Sequence, residues 1–491
     1  MDVVTEQEHG RADRSWRPVA LLVAGAFFME MFDGTVIATV APSMAVSLGV
    51  RSVDINVTMT VYLVTLAVFI PVSGWAADRF GGRTVFATAI AVFTVASALC
   101  AMSGSLGVLT AMRALQGIGG AMMVPVGRLI VLRRARKSDV IHAIAYLTWP
   151  GLVAPIIAPV LGGVLATYAS WRWIFLINVP LGVIALLCTL RMVSNTTEAW
   201  KRALDWTGFL LLGAGLALFL YGVELINGTA VRWRSVLAGV VVGGVLLALA
   251  VGHLMRREHP LVDLRIMSVP TFRITNRSGS LFRIAVSAVP YLLPLMFQDA
   301  FGWTPLKSGL MVIAVFAGNL AIKPLTTPLL QHLGFRTVLL VTGIGTPAVI
   351  AACGLLSART PLAVIAAVLF VSGVFRSVGF TAYSTIVFAD VEPARLSDAN
   401  TLSAAIVQLS SGLGVAIGAL ALRLGGPLAG LVDLSGGRTA PFSVAYIVLA
   451  LIALVPLVEA VLLPVDAGSE LSSRRSDAPS RVVDRAARRS G

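Results

Sequence analysis

Long apolar stretches alternate along the whole chain with short segments rich in charged residues, Gly or Pro. A helix rises 1.5 Å per residue, so about 20 apolar residues cross the roughly 30 Å hydrocarbon layer of a bilayer. The stretches therefore predict fourteen membrane-spanning helices and an all-α membrane protein. Their expected bounds are 18–45, 55–76, 84–103, 107–131, 140–167, 173–191, 206–224, 234–255, 276–300, 308–330, 336–357, 362–389, 397–423 and 441–464.

Composition supports a membrane protein over a soluble one. Of the 491 residues, 57% are hydrophobic and 13% are charged, and the mean hydropathy is +0.88. Soluble domains carry about 25% charged residues, and their cores cannot absorb this much apolar surface, whereas lipid can. The three cysteines all lie in apolar segments. We interpret them as packing residues and expect no disulfide framework, no metal site and no cofactor.

The net charge of +14 would by itself suit a nucleic-acid partner, but the positions of the basic residues favour a bilayer. With a cytoplasmic N-terminus, the cytoplasmic segments hold 25 of the 38 Lys and Arg residues, the outer loops hold eight, and five lie within spans. Membrane proteins carry this excess of positive charge on the inner side. We therefore expect no nucleic-acid partner, a cytoplasmic N-terminus over 1–17, and a disordered, basic cytoplasmic tail over 465–491.

A short sequence recurs in the two halves of the chain. Gly81-Gly82-Arg83-Thr84-Val85 follows the second span, and Gly334-Phe335-Arg336-Thr337-Val338 follows the tenth. These positions become equivalent if spans seven and eight are an insertion between two six-helix halves. Repeated halves with a substrate site between them are typical of secondary transporters. The expected units are an N-terminal bundle at 18–191, two inserted helices with linkers at 192–275, and a C-terminal bundle at 276–464.

The sharpest motif runs from Gly74 to Arg83, with the sequence Gly-Trp-Ala-Ala-Asp-Arg-Phe-Gly-Gly-Arg. It closely resembles the G-x-x-x-D-R-x-G-x-R loop signature of the major facilitator superfamily. The alternative is an ordinary charged loop that obeys the orientation rule. The resemblance implies a latch for one conformation of an alternating-access cycle, formed by Gly74, Asp78, Arg79, Gly81 and Arg83. In the second-half copy Gln331 replaces the Asp, which implies a weaker latch there.

Four further stretches resemble the fourteen-helix drug:proton antiporter branch of this superfamily. The resemblance implies a major facilitator fold, in which two six-helix bundles flank a central cavity and two extra helices lie between them. It also implies a proton-coupling arginine in helix four and an exporter motif in helix five, whose small residues serve packing, bending or both. Ala38 stands where the branch usually has Asn, which removes a polar substrate contact. The stretches are Asp33–Ile37 with Pro42; Arg113–Gly120; Pro150, Gly151, Pro155, Pro159, Gly162 and Gly163; and Ser170–Phe175 with Asn178, Pro180 and Gly182.

Asp33 and Arg113 are expected at similar depths in the bilayer. Counting along the helices places Asp33 about 22 Å from the inner edge and Arg113 about 9 Å below the outer edge. Glu30 lies three residues from Asp33 on the same helix face. Charged groups persist at such depths mainly on proton or substrate pathways. We predict that these three residues couple transport to protons; the alternative is a static ion pair that holds helices one and four together.

Three cations of the second half, Arg283, Lys323 and Arg376, are expected roughly 8–12 Å from the inner edge, with no acidic residue beside them. Unpaired cations in lipid are costly, so we expect them, together with Gln116, to line a substrate cavity. The alternative for Lys323 is that its side chain extends to the lipid headgroups at the inner edge. For Arg128 we expect such an extension. A positive cavity favours anionic or zwitterionic compounds over cationic dyes.

These features predict a proton-coupled secondary transporter that exports small molecules as a multidrug-type antiporter, functional as a monomer. The alternative is a dedicated exporter of an organic anion or metal-chelating metabolite. A channel would need a continuous polar pore, and a membrane enzyme would need clustered catalytic residues; neither pattern is present in the sequence. The chain also lacks a phosphate-binding Gly-x-x-x-x-Gly-Lys loop. The family resemblance implies the cytoplasmic membrane of a bacterium.

Overall fold

The computed structural model describes residues 16–136, 139–195, 203–225, 232–431 and 437–462. Within these ranges every regular element is helical. The predicted tail at 465–491 and all of the predicted N-terminal segment except Trp16 and Arg17 lie outside the described residues.

Fourteen helical elements follow the fourteen predicted stretches. Within the described ranges, twelve helices are long and apolar enough to cross a membrane, and two bent pairs, each counted as one span, bring the number to fourteen. The chain is therefore a multi-pass membrane protein. The elements are α1 (Arg17–Leu48), α2 (Asn56–Phe69 and Val72–Phe80), α3 (Gly82–Met102), α4 (Leu106–Arg134), α5 (Val140–Tyr168), α6 (Trp173–Leu176 and Asn178–Met192), α7 (Trp206–Glu224), α8 (Trp233–Arg256), α9 (Pro270–Leu295), α10 (Pro305–Ala321 and Lys323–Leu333), α11 (Phe335–Gly354), α12 (Leu362–Ile386), α13 (Leu396–Leu431) and α14 (Ala440–Leu462).

The helices begin and end at residues that satisfy their terminal backbone groups. The side chains of Ser105, Asp205 and Thr304 accept hydrogen bonds from the first turns of α4, α7 and α10. Such caps supply hydrogen-bond acceptors to the first N–H groups, which have none within the helix. Gly49 ends α1 with φ 66°, a left-handed conformation that glycine adopts without steric cost.

The recurring sequence occupies equivalent places in the two halves. Both α2 and α10 are broken, with bends of 57° and 46°. Pro71 lies at the first break and Pro324 follows the second; a proline lacks the N–H that would continue the helix. Each bent pair then ends at a glycine with positive φ, Gly81 at 87° and Gly334 at 79°.

The helices pack as two bundles of six. In the first, α1 packs along α5 and also touches α4 and α6, while α3 packs between α4 and α6, and α2 on α4. In the second, α9 packs on α13 and α14, α10 on α12, and α11 between α12 and α14. This is the predicted fold. We call the end of the molecule at which α1 begins the basic end, because Arg133, Arg134, Arg256 and Arg257 lie there.

The inserted helices α7 and α8 form a tightly packed pair. A Cβ on Gly239 would lie 2.8 Å from Cα of Gly222, and one on Gly243 would lie 2.5 Å from the backbone N of Phe219. Small residues four apart allow membrane helices this close an approach. The pair also touches both bundles, because α7 contacts α2 and α13. On the outer face of α8, large apolar side chains are more than half exposed, as expected of a surface that faces lipid: Leu237, Val241, Val245 and Leu249.

Candidate functional site

Asp33 and Arg113 meet inside the N-terminal bundle. Arg113 donates from Nη1 to the Asp33 carboxylate, and both side chains are at most 1% exposed. Two amides complete the shell around the same carboxylate: Gln116 donates to Oδ1 at 2.9 Å, and Asn178 of α6 donates to Oδ1 at 3.2 Å. Gln116 also donates to Ser97 of α3 at 2.8 Å. Side chains of four helices, α1, α3, α4 and α6, therefore form one hydrogen-bond network around the Asp33 carboxylate.

Gln116 does not lie where the sequence placed it. We expected it on the wall of the substrate cavity, but its side chain is fully buried in the Asp33 network, where its Oε1 accepts from Arg113 at 2.6 Å. The motif shared with the antiporter branch identifies the helix but not the direction in which each side chain points. Gln116 holds the arginine and the carboxylate in register.

Tyr62 of α2 links this network towards the centre of the molecule. Its ring lies 4.1 Å from the Arg113 guanidinium carbon, a distance suited to a cation–π contact. Its hydroxyl lies beside Gly120, 3.3 Å from the position that a Cβ there would take, and the Glu30 carboxyl carbon is 3.8 Å from the same point. The missing side chain at Gly120 brings the two groups together. No sequence motif singled out Tyr62, Ser97 or the role of Asn178.

A central cavity of about 280 Å³ lies between the two bundles. Glu30 lies on its wall, whereas Asp33 and Arg113 do not. Side chains of α1, α2, α4 and α5 face those of α9, α10, α12 and α13 across it. Glu30 is thus the acid that faces the space between the halves, and Asp33 is the acid in the interior of one half.

The three predicted cations of the second half all reach this cavity: Arg283, Lys323 and Arg376. Lys323 is 5% exposed and donates from Nζ to Thr381 Oγ1 at 2.8 Å. The Arg283 guanidinium donates to Ser384 Oγ at 3.4 Å and lies 5.4 Å from the centre of the Phe380 ring.

Arg128 is a fourth cation on the cavity wall. The sequence led us to expect its side chain among the headgroups, and that expectation is wrong. The helix register turns it inward, towards the face on which Glu30 lies. Among the described residues that line the cavity, four carry positive charge and Glu30 alone is acidic.

The two halves touch closely at the basic end. A Cβ on Gly74 of α2 would lie 2.3 Å from Thr401 Oγ1 and 3.1 Å from Ser397 Oγ of α13. Nearby, Asn400 of α13 donates to the carbonyl of Pro125 in α4 at 2.9 Å. The structure is therefore closed between the halves at this end.

The predicted latch loop lies beside this contact. Asp78 and Arg133 of α4 form an ion pair at 2.9 Å, and Arg79 lies over the rings of Trp75 and Phe80. Arg83 lies in the first turn of α3. A residue that sequence reasoning missed, Asn195, donates from Nδ2 to Thr84 at 3.0 Å and lies against Gly81.

Helix α5 carries the predicted exporter motif and continues as one helix through all of its prolines. Pro155 lines the cavity, and Gly162 packs on α1, where a Cβ would lie 2.8 Å from Val36. A Cβ on Gly163 would meet nothing within 4 Å. The side chains of Pro150 and Pro159, and the burial of Gly151, lie outside what the structure describes.

In the described part of the chain, no group of three or more His, Cys, Asp or Glu residues could hold a metal ion. The described cysteines are unpaired, with Cys100 and Cys353 buried in the bundles.

Comparisons with known proteins agree with this architecture. A family model described as Major Facilitator Superfamily matches residues 23–271 and 278–490. The chain is 37% identical over 440 residues to "Putative multidrug resistance protein MdtD" of Shigella boydii serotype 4, covering 89% of this chain and 92% of the relative. The protein of that name from Escherichia coli strain K12 is 37% identical over 439 residues, with the same coverage.

Two solved structures share the fold. The human organic anion transporter MFSD10 aligns with a TM-score of 0.65 at 15% identity, covering 91% of this chain and 99% of that one. The proton:xylose symporter XylE aligns with a TM-score of 0.60 at 12% identity, covering 92% of this chain and 96% of that one. At such low identity the likeness concerns the fold alone.

Proposed function

Because the chain belongs to the major facilitator superfamily, we propose that it exports small molecules across a membrane in exchange for protons. Members of this superfamily are transporters, so the chain is not an enzyme. Its relatives at 37% identity are named as multidrug resistance proteins, which supports export as the direction of transport.

The Asp33–Arg113 pair is the observation that carries the proton coupling. A carboxylate enclosed by a guanidinium and two amides is stable as an anion only while those donors stay in place. A relative shift of α1, α4 or α6 would remove donors and favour the protonated acid. Proton binding and helix position are then linked, because each biases the other.

In the proposed cycle the basic end is cytoplasmic, as the excess of Lys and Arg there favours, and both termini lie on that side. The structure is then in a state closed to the cytoplasm by the contact of Gly74 with α13. A proton from outside binds Asp33, and Glu30, one turn away on α1 and on the cavity wall, is a second acid that can take up a proton. Release of the proton to the cytoplasm accompanies exposure of the cavity to that side. Substrate then binds from the cytoplasm and returns the transporter to the outward state.

The proposal includes four further points. The membrane is the cytoplasmic membrane of a bacterium, because the relatives at 37% identity are proteins of Shigella boydii and Escherichia coli. The proton gradient drives export without a cofactor. The monomer is the functional unit, since the cavity lies within one chain. No nucleic acid takes part.

A second candidate is a dedicated exporter of an organic anion or a metal-chelating metabolite. The observation that favours it is the excess of cations on the cavity wall. A multidrug pump for lipophilic cations would instead carry an excess of acidic groups beside the aromatic rings of its wall.

The test of proton coupling uses inverted vesicles that are acidified inside, with fluorescein and tetraphenylphosphonium as probes. The wild type should accumulate at least one of them in proportion to the imposed pH gradient, and Asp33→Asn should not. Asp54→Asn is the matched control, because Asp54 pairs with Arg51 at the surface of a loop. Accumulation by Asp33→Asn in step with the gradient would refute the assignment.

A further inference from the structure

The central cavity concentrates positive charge in the membrane-spanning part of the molecule. Arg128 approaches it from the first half, and the second half contributes the three cations Arg283, Lys323 and Arg376. The charges are not balanced by acids, because Glu30 is the one acidic side chain among the described residues on the wall.

Several N–H groups of these cations lack a hydrogen-bond acceptor in the described part of the chain. Nε of Arg283 and Nη1 of Arg376 are buried and have no hydrogen-bond partner within the described part of the chain. Lys323 donates to the neutral Thr381 hydroxyl, and Arg283 donates to the neutral Ser384 hydroxyl at 3.4 Å. Neutral oxygens do not offset the cost of removing a charge from water.

From this arrangement we infer an anion-binding site: the cavity holds a carboxylate, sulfonate or phosphate group of the exported compound between Arg283, Arg376 and Lys323. The inference rests on the proposed function only where it takes the bound compound to be exported. The binding itself does not depend on proton coupling. Guanidinium groups suit such a ligand because their fork of N–H groups matches two oxygens of one anion.

The remainder of the wall indicates what the anionic group is attached to. Phe27, Phe282, Phe316 and Phe380 line the same cavity, so an aromatic or apolar body has rings to contact. Asn319 and Ser377 have buried side-chain oxygens without a partner among the described residues, and both reach this wall. The site therefore fits a compact aromatic anion that also carries a hydrogen-bond donor.

Lys323 also lines a second, larger space. This apolar groove of about 1130 Å³ lies between α10 and the helices α1, α5 and α6. An anionic group could thus come from a water-soluble compound or from the headgroup of a membrane lipid whose chains occupy the groove. We favour the exported compound, because Arg283 and Arg376 lie on the cavity and not on the groove.

Binding can be measured on purified protein with ligands that share one aromatic body. 4-Hydroxybenzoate, 4-hydroxybenzenesulfonate and 4-hydroxyphenyl phosphate are the anionic probes, and 4-hydroxybenzyltrimethylammonium is the cationic one. At least one anion should raise the melting temperature of the detergent-solubilised wild type in a saturable manner, while the cation should not. Equal or greater stabilisation by the cation, or no stabilisation by all three anions, would overturn the inference.

Neutral variants separate a binding role from a structural one. Arg376→Met and Arg283→Met should each weaken anion binding about tenfold or more, because each removes charge-assisted hydrogen bonds. Without ligand, both variants should melt at the wild-type temperature or above it, since they remove a buried and unbalanced charge. A purely structural arginine would give the reverse: a lower melting temperature and unchanged anion binding.

Lys307→Met is the control, because Lys307 lies on the same helix as Lys323 but packs on Trp303 outside the cavity. It should leave anion binding unchanged. In a separate arm, phosphatidylglycerol replaces the soluble anions. Stabilisation by this lipid alone, lost in Arg376→Met, would overturn the inference in favour of a lipid site. Anion binding without gradient-driven export would refute the proposed function and leave the anion site standing.

Discussion

Asp33 and Arg113 lie 80 residues apart in the chain, yet the arginine donates directly to the carboxylate in the interior of the N-terminal bundle. Neither side chain touches the central cavity. Asp33 and Arg113 thus lie away from the proposed substrate cavity, whereas Glu30, the third proposed coupling residue, lies on its wall. An arrangement of this kind lets the proton and the substrate compete through the position of α1 and α4, without competing for one atom.

Removing one member of this pair should destabilise the protein more than removing both. Arg113→Gln leaves a buried carboxylate without its counter-charge, which costs about 3–5 kcal/mol. Asp33→Asn combined with Arg113→Gln removes both charges and should recover most of that stability. Thermal unfolding in detergent measures the difference. Transport driven by a pH gradient should stay absent in the double variant.

The same double variant distinguishes the two roles that the sequence left open. If the pair only braces α1 against α4, recovery of stability should bring back gradient-driven transport. The surface pair Arg51–Asp54 supplies the control, and the corresponding double variant should change neither stability nor transport.

Substitution by Ala should change the stability of the protein in opposite directions at two adjacent glycines of α5. Gly162→Ala places a methyl group 2.8 Å from Val36, one turn from Asp33, so α1 must shift, at a cost of about 1–3 kcal/mol. Gly163→Ala meets nothing within 4 Å and should stabilise the helix by about 0.5–1 kcal/mol. Melting temperature and transport measure both effects; a loss of transport in Gly163→Ala alone would contradict this account.

The fold could be predicted from the sequence because a bilayer imposes a length and an apolar composition on every span. The fourteen stretches became fourteen elements, and the repeated glycines Gly81 and Gly334 took the same conformation. The bounds were less predictable. α13 runs to Leu431, eight residues beyond its expected end, because an apolar segment continues as helix past Arg423.

The site was predictable in its charges and unpredictable in its neutral partners. Asp33 and Arg113 stand out in apolar stretches, since ionisable residues are costly there. Gln116 and Arg128 were misplaced because one helix has several inward faces, and periodicity does not say which faces the cavity. Tyr62 and Asn195 carry no sequence signal of their own, since their roles arise from contacts between helices distant in the chain.

The contact between the start of α7 and the end of α8 should lose stability at acid pH. Burial alone raises the pKa of Asp205, but hydrogen bonds from the N–H groups of Gly208 and Leu261 and from His253 outweigh it, so the pKa is lowered. A carboxyl with a lowered pKa stabilises the folded state above its unfolded pKa of about 4, and the stabilisation is lost as pH falls through the folded pKa. The protection of the α7 amides from hydrogen exchange, relative to an unfolded peptide at the same pH, should therefore decrease below about pH 4.

Asp205→Ala should accelerate the same exchange at neutral pH and remove its acid dependence, because a cap contributes about 0.5–2 kcal/mol. Asp139 provides the matched control. It occupies the corresponding position before α5 but makes no capping hydrogen bond, so Asp139→Ala should leave exchange unchanged. An unaltered pH profile in Asp205→Ala would rule out this explanation.

Closure at the basic end should depend on the absence of a side chain at Gly74. Gly74→Val places branched carbons where Thr401 and Ser397 now lie, so α2 and α13 can no longer approach. The population should shift towards the state open at this end, and export should slow because the cycle requires both states. Gly426→Val is the control, as a Cβ at Gly426 on α13 meets nothing within 4 Å.

The shift can be measured as a distance between spin labels on Arg136→Cys and Glu392→Cys, in a chain whose three cysteines are replaced. Both positions are exposed at the basic end, one on each half, so labels should not disturb the contact. The wild type should show a short distance that lengthens in Gly74→Val and not in Gly426→Val. Slower export with an unchanged distance would mean that Gly74 acts on the latch loop itself, since separation of the halves would then have no part in the defect.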